Sequence, residues 1–234
     1  MTTNSPFQLP LSVSLRDDAR FENYYAQGNE LVCANLKAVA HNQGEQFTFI
    51  WGAEGVGRTH LLQAVCHEAE PEGKSAVYLP LDELKHMGCD LLEGMEFLDL
   101  VCLDNFETVV GEKDWEEALF HFFNRMRDQG NSLIIAATAA PRYLGVHLPD
   151  LASRLSWGVV FQVQALSDET KLRAIQMRAG ARGLEFSDEV ARFLVYHASR
   201  NMNDLTRLLD ELDQASLSAK RKVTIPFIKE VTGL

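Results

Sequence analysis

A chain of 234 residues is long enough for one large domain or two small ones with a proper core. Hydrophobic residues make up 46% and charged residues 24%, ordinary values that exclude collagen, a disulfide mini-scaffold and a largely disordered chain. Acids outnumber bases 33 to 22, a formal net charge of −11, so the chain as a whole repels phosphate backbones and sequence-independent DNA binding is not expected. The longest near-apolar runs, 98–103 and 133–140, are too short to cross a bilayer. No basic stretch followed by an apolar one opens the chain, so no signal peptide and no membrane association are expected. Cys33, Cys66, Cys89 and Cys102 are widely spaced and read as reduced, mostly buried thiols of a cytoplasmic protein.

In chain order, residues 1–20 carry Pro6, Pro10 and scattered Leu and Val without helical period, the pattern of an extended tail. From Phe47 onward, β-rich apolar runs at 47–51, 75–79, 98–103, 133–138 and 159–163 alternate with helical patterns near 59–70, 82–87, 114–128 and 149–155. That alternation predicts a five-stranded parallel sheet with helices on both faces. After Ala165 the strands stop. Ser167 and Ser187 are suitable N-caps for helices running to about Arg182 and His197, with Gly183 as a stop. Leu205, Leu208, Leu209 and Leu212 fall on one stripe of a third helix, and a short fourth begins near Thr224-Ile225-Pro226. The expected layout is a tail over 1–20, an α/β domain over 21–165 and a small all-helical domain over 166–234. Two basic clusters, Lys171/Arg173/Arg178/Arg182 and Lys220-Arg221-Lys222, read as solvated helix faces.

The first strand runs into Gly52-Ala53-Glu54-Gly55-Val56-Gly57-Arg58-Thr59, followed by His60 and a helix with Leu61, Leu62 and Val65. This is GxxxxG, a basic residue and Thr in strand–loop–helix context. Glycines there let backbone N–H groups wrap a phosphate at a helix N-terminus. Thr59 is the expected Mg²⁺ ligand. The usual Lys is Arg58, a planar fork rather than a point charge, which puts γ-phosphate chemistry in doubt while keeping phosphate binding. The run 97–105 resembles a Walker B strand ending in Asp104, the expected metal-side carboxylate. A hydrolytic site of this type usually has an acid next, but position 105 is Asn, and Glu107 has no assigned direction. Asn105→Glu is the change expected to raise intrinsic hydrolysis. Seven dispersed histidines offer no zinc-ligand spacing.

P-loop, Walker B strand, Thr138 ending the next strand, an Arg-bearing helix and a terminal helical region together resemble the AAA+ family. The resemblance implies a P-loop AAA+ parallel five-stranded sheet with flanking helices plus a small helical lid. Phe21-Glu22-Asn23-Tyr24, the segment Leu151-Ala152-Ser153-Arg154-Leu155-Ser156-Trp157-Gly158 and the lid are closer still to the bacterial initiator DnaA. Initiators continue into a helix-turn-helix domain, which this chain is expected to lack. Gln8-Leu9-Pro10-Leu11-Ser12-Val13 resembles the peptide that docks on the replicative sliding clamp, with Gln8, Leu9, Leu11 and Val13 as contacts. The combination is similar to DnaA-related regulators that inactivate the initiator.

That resemblance implies an ADP-type nucleotide with Mg²⁺ between the α/β domain and the lid, with Phe21, Tyr24 and Tyr25 over the base. Packing of those aromatics in the first turn is an equally good reading. The lid position that carries a sensor Arg in initiators is Asn203, and Arg207, one turn on, is a candidate substitute. Arg154 matches an arginine finger that completes a partner's site. Intrinsic ATPase activity is expected to be weak or absent, because Asn105 and the missing sensor Arg leave a γ-phosphate poorly held. The implied partners are the initiator DnaA and the clamp, with DNA reached only through the clamp and self-association left open. A self-sufficient ATPase of the helicase-loader type and a clamp adaptor with a vestigial nucleotide site are the alternatives. The acidic balance and Asn105 weigh against the first, and the setting of Arg154 against the second.

Overall fold

The computed structural model describes residues 15–198 and 202–233. The expected clamp contacts Gln8, Leu9, Leu11 and Val13 lie outside them. Five short strands, β1 (Phe47–Trp51), β2 (Ala76–Pro80), β3 (Leu100–Asp104), β4 (Ser132–Ala137) and β5 (Val159–Gln162), form one sheet in the order β2-β3-β4-β1-β5. Every pairing is parallel. All strands therefore end on the same edge, and the segments that follow them share one rim.

Strand side chains alternate between two cores. In β3, Val101 and Leu103 join one cluster while Leu100 and Cys102 join the other. The first face is covered by α3 (Leu81–Leu84), α4 (Lys113–Gln129) and α5 (Pro149–Leu155). The second is covered by α1 (Glu30–Ala40) and α2 (Arg58–Ala69). Burial on both faces explains why the strands read as unbroken apolar runs. The expected layout left α1 unassigned, although Val32, Leu36, Val39 and Ala40 make a helical stripe that is fully buried. The third strand begins at Leu100 rather than 98, because Met95–Phe97 form a 3-10 turn.

The helical region has its own core. α6 (Asp168–Ala181), α7 (Asp188–Phe193), α8 (Met202–Ala219) and α9 (Ile225–Thr232) pack Ile175, Val190, Leu194, Leu205, Leu209, Leu212, Phe227 and Ile228 together. Ser167 and Ser187 are the N-caps, accepting from the Thr170 and Val190 N–H groups at 3.2 and 3.3 Å. Gly183 follows α6 with φ +76°, as a stop requires. α7 continues into a π-helical turn over Leu194–Ala198.

Two expectations need correction. Residues 15–20 are not a free tail: Ala19 is buried, the Arg16 N–H donates to Gln63 Oε1 at 3.0 Å, and Asp18 accepts from Arg182 at 3.0 Å. Polar partners far along the chain hold this segment, so no local period announces it. Of the cluster Lys171/Arg173/Arg178/Arg182, Arg173 is solvated as expected, but Arg178 and Arg182 are not. Arg182 bridges Asp18 and Asp210, and Arg178 donates to Thr206 Oγ1 at 2.6 Å. Among the described residues no helix is long and apolar enough to cross a membrane.

A buried carboxylate sets the approach to α5. Glu116, 2% exposed on α4, accepts from the N–H groups of Gly111 (2.8 Å), His147 (3.0 Å) and Leu148 (2.7 Å). Burial alone would raise its pKa, but these three donors hold it below the usual carboxylate range. The loop 145–148 is thereby pinned, and Pro149 starts α5 at a position where no N–H is needed.

Candidate functional site

A cavity of about 560 Å³ opens at the rim where β1, β3 and β4 end, between the sheet and the helical region. The sheet edge, the loop after β1 and the lid helices α6 and α8 all line it. Parallel sheets place ligands at this carboxyl edge.

The loop 52–57 owes its path to its glycines. Gly55 and Gly57 have φ of +80° and +94°, and a Cβ on Gly57 would lie 2.8 Å from Tyr24 Cε2. Tyr24 thus lies directly on the loop, and its hydroxyl donates to the Val56 carbonyl at 3.2 Å. Asn29, buried at the start of α1, donates to that hydroxyl at 3.2 Å and accepts the Gln164 N–H at 2.7 Å. Gly52 serves a different end from the one expected. It is not among the residues lining the cavity; a Cβ there would meet the Val163 carbonyl at 2.6 Å, so its smallness lets the loop pass the residue that follows β5.

Arg58 begins α2 and is 8% exposed. Its Nη1 is buried with no hydrogen-bond partner, 3.9 Å from Glu107 Oε1. A buried cation left unsatisfied beside a glycine loop and a helix N-terminus fits an anionic group. Thr59 donates to Asp104 Oδ2 at 2.6 Å, so the two expected metal-side groups are in direct contact. Asp104 is fully buried and also accepts from the Tyr78 hydroxyl at 3.0 Å and the Asn105 N–H at 2.9 Å. Burial raises its pKa above the ordinary carboxylate value, against the pull of those three donors.

Asn105 lines the cavity and is held at the start of the turn that follows β3. It has φ +53°, a conformation Asn tolerates better than most residues, and its Nδ2 donates to Asp82 Oδ1 at 2.8 Å. A carboxylate introduced at 105 would face Asp82, so any gain in hydrolysis by Asn105→Glu would come against a like-charge contact. Glu107, whose direction the sequence left open, lines the cavity and accepts the Thr138 N–H on Oε2 at 3.1 Å.

The remaining expected residues divide. Tyr24, Tyr25, Gly55, Val56, Gly57, Arg58, Thr59, His60, Thr138, Asn203 and Arg207 all line the cavity. Phe21 does not: its ring is buried in the core beneath Lys37 Nζ, 5.0 Å from the centroid, because the 3-10 turn at Phe21–Asn23 points it inward. Arg207 is ion-paired with Asp204 on the same helix. Arg178 is the cavity residue that sequence reasoning missed. Besides Thr206, its guanidinium approaches His60 Nδ1 at 3.5 Å, while His60 Nε2 lies 2.8 Å from the Arg20 carbonyl. Burial, reinforced by Arg178, lowers the His60 pKa to about 4, so the ring is neutral, donating to Arg20 and accepting from Arg178. Arg154 lies outside the cavity, on α5, with its guanidinium 5.2 Å from the centre of the Trp157 ring.

The family model described as the bacterial DnaA ATPase domain matches residues 15–162, and the one described as Hda, lid domain, matches residues 168–232. Among solved structures, domain III of the Thermotoga maritima replication initiation protein DnaA aligns with a TM-score of 0.79 at 23% identity, over 94% of this chain and 98% of that one. AMPPCP-bound DnaA from Aquifex aeolicus aligns with a TM-score of 0.72 at 25% identity, over 87% of this chain and 68% of that one. The Thermotoga maritima RuvB Holliday junction branch migration motor shares the fold, with a TM-score of 0.64 at 16% identity over 88% and 68% of the two chains.

Proposed function

This chain belongs to the bacterial DnaA ATPase-domain family, and we propose that it acts as a regulator that stimulates the initiator's ATP hydrolysis rather than as an initiator itself. It is an AAA+ protein related to replication initiation, with a DnaA-type ATPase domain and an Hda-type lid. The regulator holds a nucleoside diphosphate in the cavity between loop 52–59 and the lid. Arg58, with its unsatisfied Nη1, meets the phosphates, and Tyr24 and Tyr25 flank the base. Thr59 and Asp104, already in contact, hold Mg²⁺, which neutralises phosphate charge when bound. Residues 8–13 dock on the sliding clamp, Gln8 by hydrogen bonding and Leu9, Leu11 and Val13 in an apolar groove. DNA is met only through the clamp.

Arg154 is the group that acts on the partner, and its placement is the observation that carries this reading. It stands outside its own chain's cavity, and among the described residues it has no carboxylate partner. A guanidinium free of an ion pair and resting on a half-exposed indole is available to a neighbouring molecule. Aimed at a γ-phosphate in the initiator's site, it neutralises the charge that develops as the bond breaks. Fingers of this kind contribute on the order of 10³–10⁵ in rate.

The test mixes ATP-loaded initiator, clamp on DNA, and wild-type protein, Arg154→Ala or the pair Gln8→Ala/Leu11→Ala. Arg154→Ala is expected to keep its fold and its clamp binding and to lose most of the stimulation. The Gln8/Leu11 pair is expected to lose clamp pull-down. Full stimulation by Arg154→Ala rejects the finger, and undiminished clamp binding by the pair rejects the tail assignment.

A further inference from the structure

We propose that Glu107 makes the cavity selective for a diphosphate by placing a carboxylate where a third phosphate would be received. The inference rests on the nucleotide reading above and names the residue that sets its specificity. Glu107 sits on the 3-10 turn Phe106–Val109 that follows β3, and its side chain faces the cavity. One carboxylate oxygen accepts the Thr138 N–H at 3.1 Å, at the end of β4. The other lies 3.9 Å from Arg58 Nη1. Glu107 thus spans the gap between the cation at the start of α2 and the N–H group at the end of the neighbouring strand. An anion received between these two groups would meet a carboxylate that the protein already supplies there.

The backbone that carries the carboxylate is held in place. Its turn is anchored by Phe106 and Val109, which are fully buried, by the Thr108 hydroxyl donating to the Asn105 carbonyl at 2.7 Å, and by the Asn105–Asp82 bond. Releasing Thr138 would also leave that N–H in need of a new acceptor. The 3.9 Å separation is too long for a hydrogen bond, so Arg58 Nη1 keeps its capacity for a phosphate oxygen on the loop side. A diphosphate can therefore use Arg58 and the loop N–H groups while Glu107 stays on Thr138. A triphosphate adds charge beside a fixed carboxylate and must share both partners with it, which is repulsive in a partly desolvated cavity.

The test is titration calorimetry of nucleotide-free protein with ADP and with the non-hydrolysable triphosphate AMPPCP, each in Mg²⁺ and in EDTA. Glu107→Gln keeps a carbonyl for the Thr138 N–H and removes the charge. It is expected to shift the AMPPCP-to-ADP affinity ratio by about tenfold toward the triphosphate, the size of a partly screened like-charge contact. Glu107→Ala is expected to shift it the same way, and matched melting temperatures confirm that both variants fold. An unchanged ratio overturns the proposal. So does triphosphate binding by the variants that is weaker than wild type in Mg²⁺ but not in EDTA, since Glu107 would then be a metal ligand. If neither wild type nor variant binds either nucleotide, the nucleotide reading itself falls; binding of both by wild type with an unmoved ratio removes only the role of Glu107.

Discussion

Replacing Glu116 by Gln perturbs one buried carboxylate and, through it, the loop that delivers α5. The wild-type side chain receives three backbone N–H groups, from Gly111, His147 and Leu148, at 2.7–3.0 Å. A Gln carbonyl can keep two of these donors, leaving the third to face an amide NH₂. One buried unsatisfied donor costs about 1–3 kcal/mol, and loss of charge assistance on the remaining bonds adds about 1 kcal/mol. The expected destabilisation is about 2–4 kcal/mol, which for a chain of this size lowers Tm by roughly 5–15 °C. Urea and thermal unfolding at pH 7 read this directly. The pH dependence gives an independent check. The folded carboxyl titrates below its unfolded value, so its contribution is present above about pH 4.3 and fades as pH falls through the lower folded value. The gap between wild type and Glu116→Gln should therefore narrow in acid. Because Glu116 holds His147 and Leu148 just before α5, the variant should also lose stimulation in the initiator assay if the proposed role of Arg154 holds. A stability difference under about 0.5 kcal/mol, or one that does not change with pH, would refute the reasoning.

Gly57→Ala puts a Cβ 2.8 Å from Tyr24 Cε2 at φ +94°; a loss of about 1–2 kcal/mol and of nucleotide retention on gel filtration is expected, and unaltered retention would count against the loop geometry. Arg182→Ala removes the pair to Asp18, which joins the lid to residues 15–20, and the pair to Asp210 within the lid. These groups are partly exposed, so the loss should be about 1 kcal/mol and shrink with added salt. A salt-independent loss in thermal melts would mean that packing of the Arg stem, not charge, is what matters.

Much of this protein is legible along the chain. Apolar runs alternating with helical stripes dictate a parallel sheet covered on both faces, because strands buried twice must be apolar throughout. Ser167 and Ser187 announce their helices, since capping is an interaction over three residues. Gly55, Gly57, Arg58 and Thr59 announce the phosphate loop by spacing alone. What the chain order could not decide is which side chains converge on the cavity. Phe21 and Tyr24 are three residues apart and equally aromatic, yet one packs inside and the other lies over Gly57. Arg178 reads as one charge among several on a helix, and only the placement of α6 beside the turn Phe21–Asn23 brings it to His60. Glu107 gains its direction from Thr138, thirty-one residues away. Gly52 reads as a ligand glycine in the sequence, and only the fold shows the Val163 carbonyl packed where its Cβ would be. Local pattern records what neighbours in sequence demand of one another. Polar groups satisfied by partners on other elements leave no period to read, so the composition of the site was settled only when the sheet and lid closed over it.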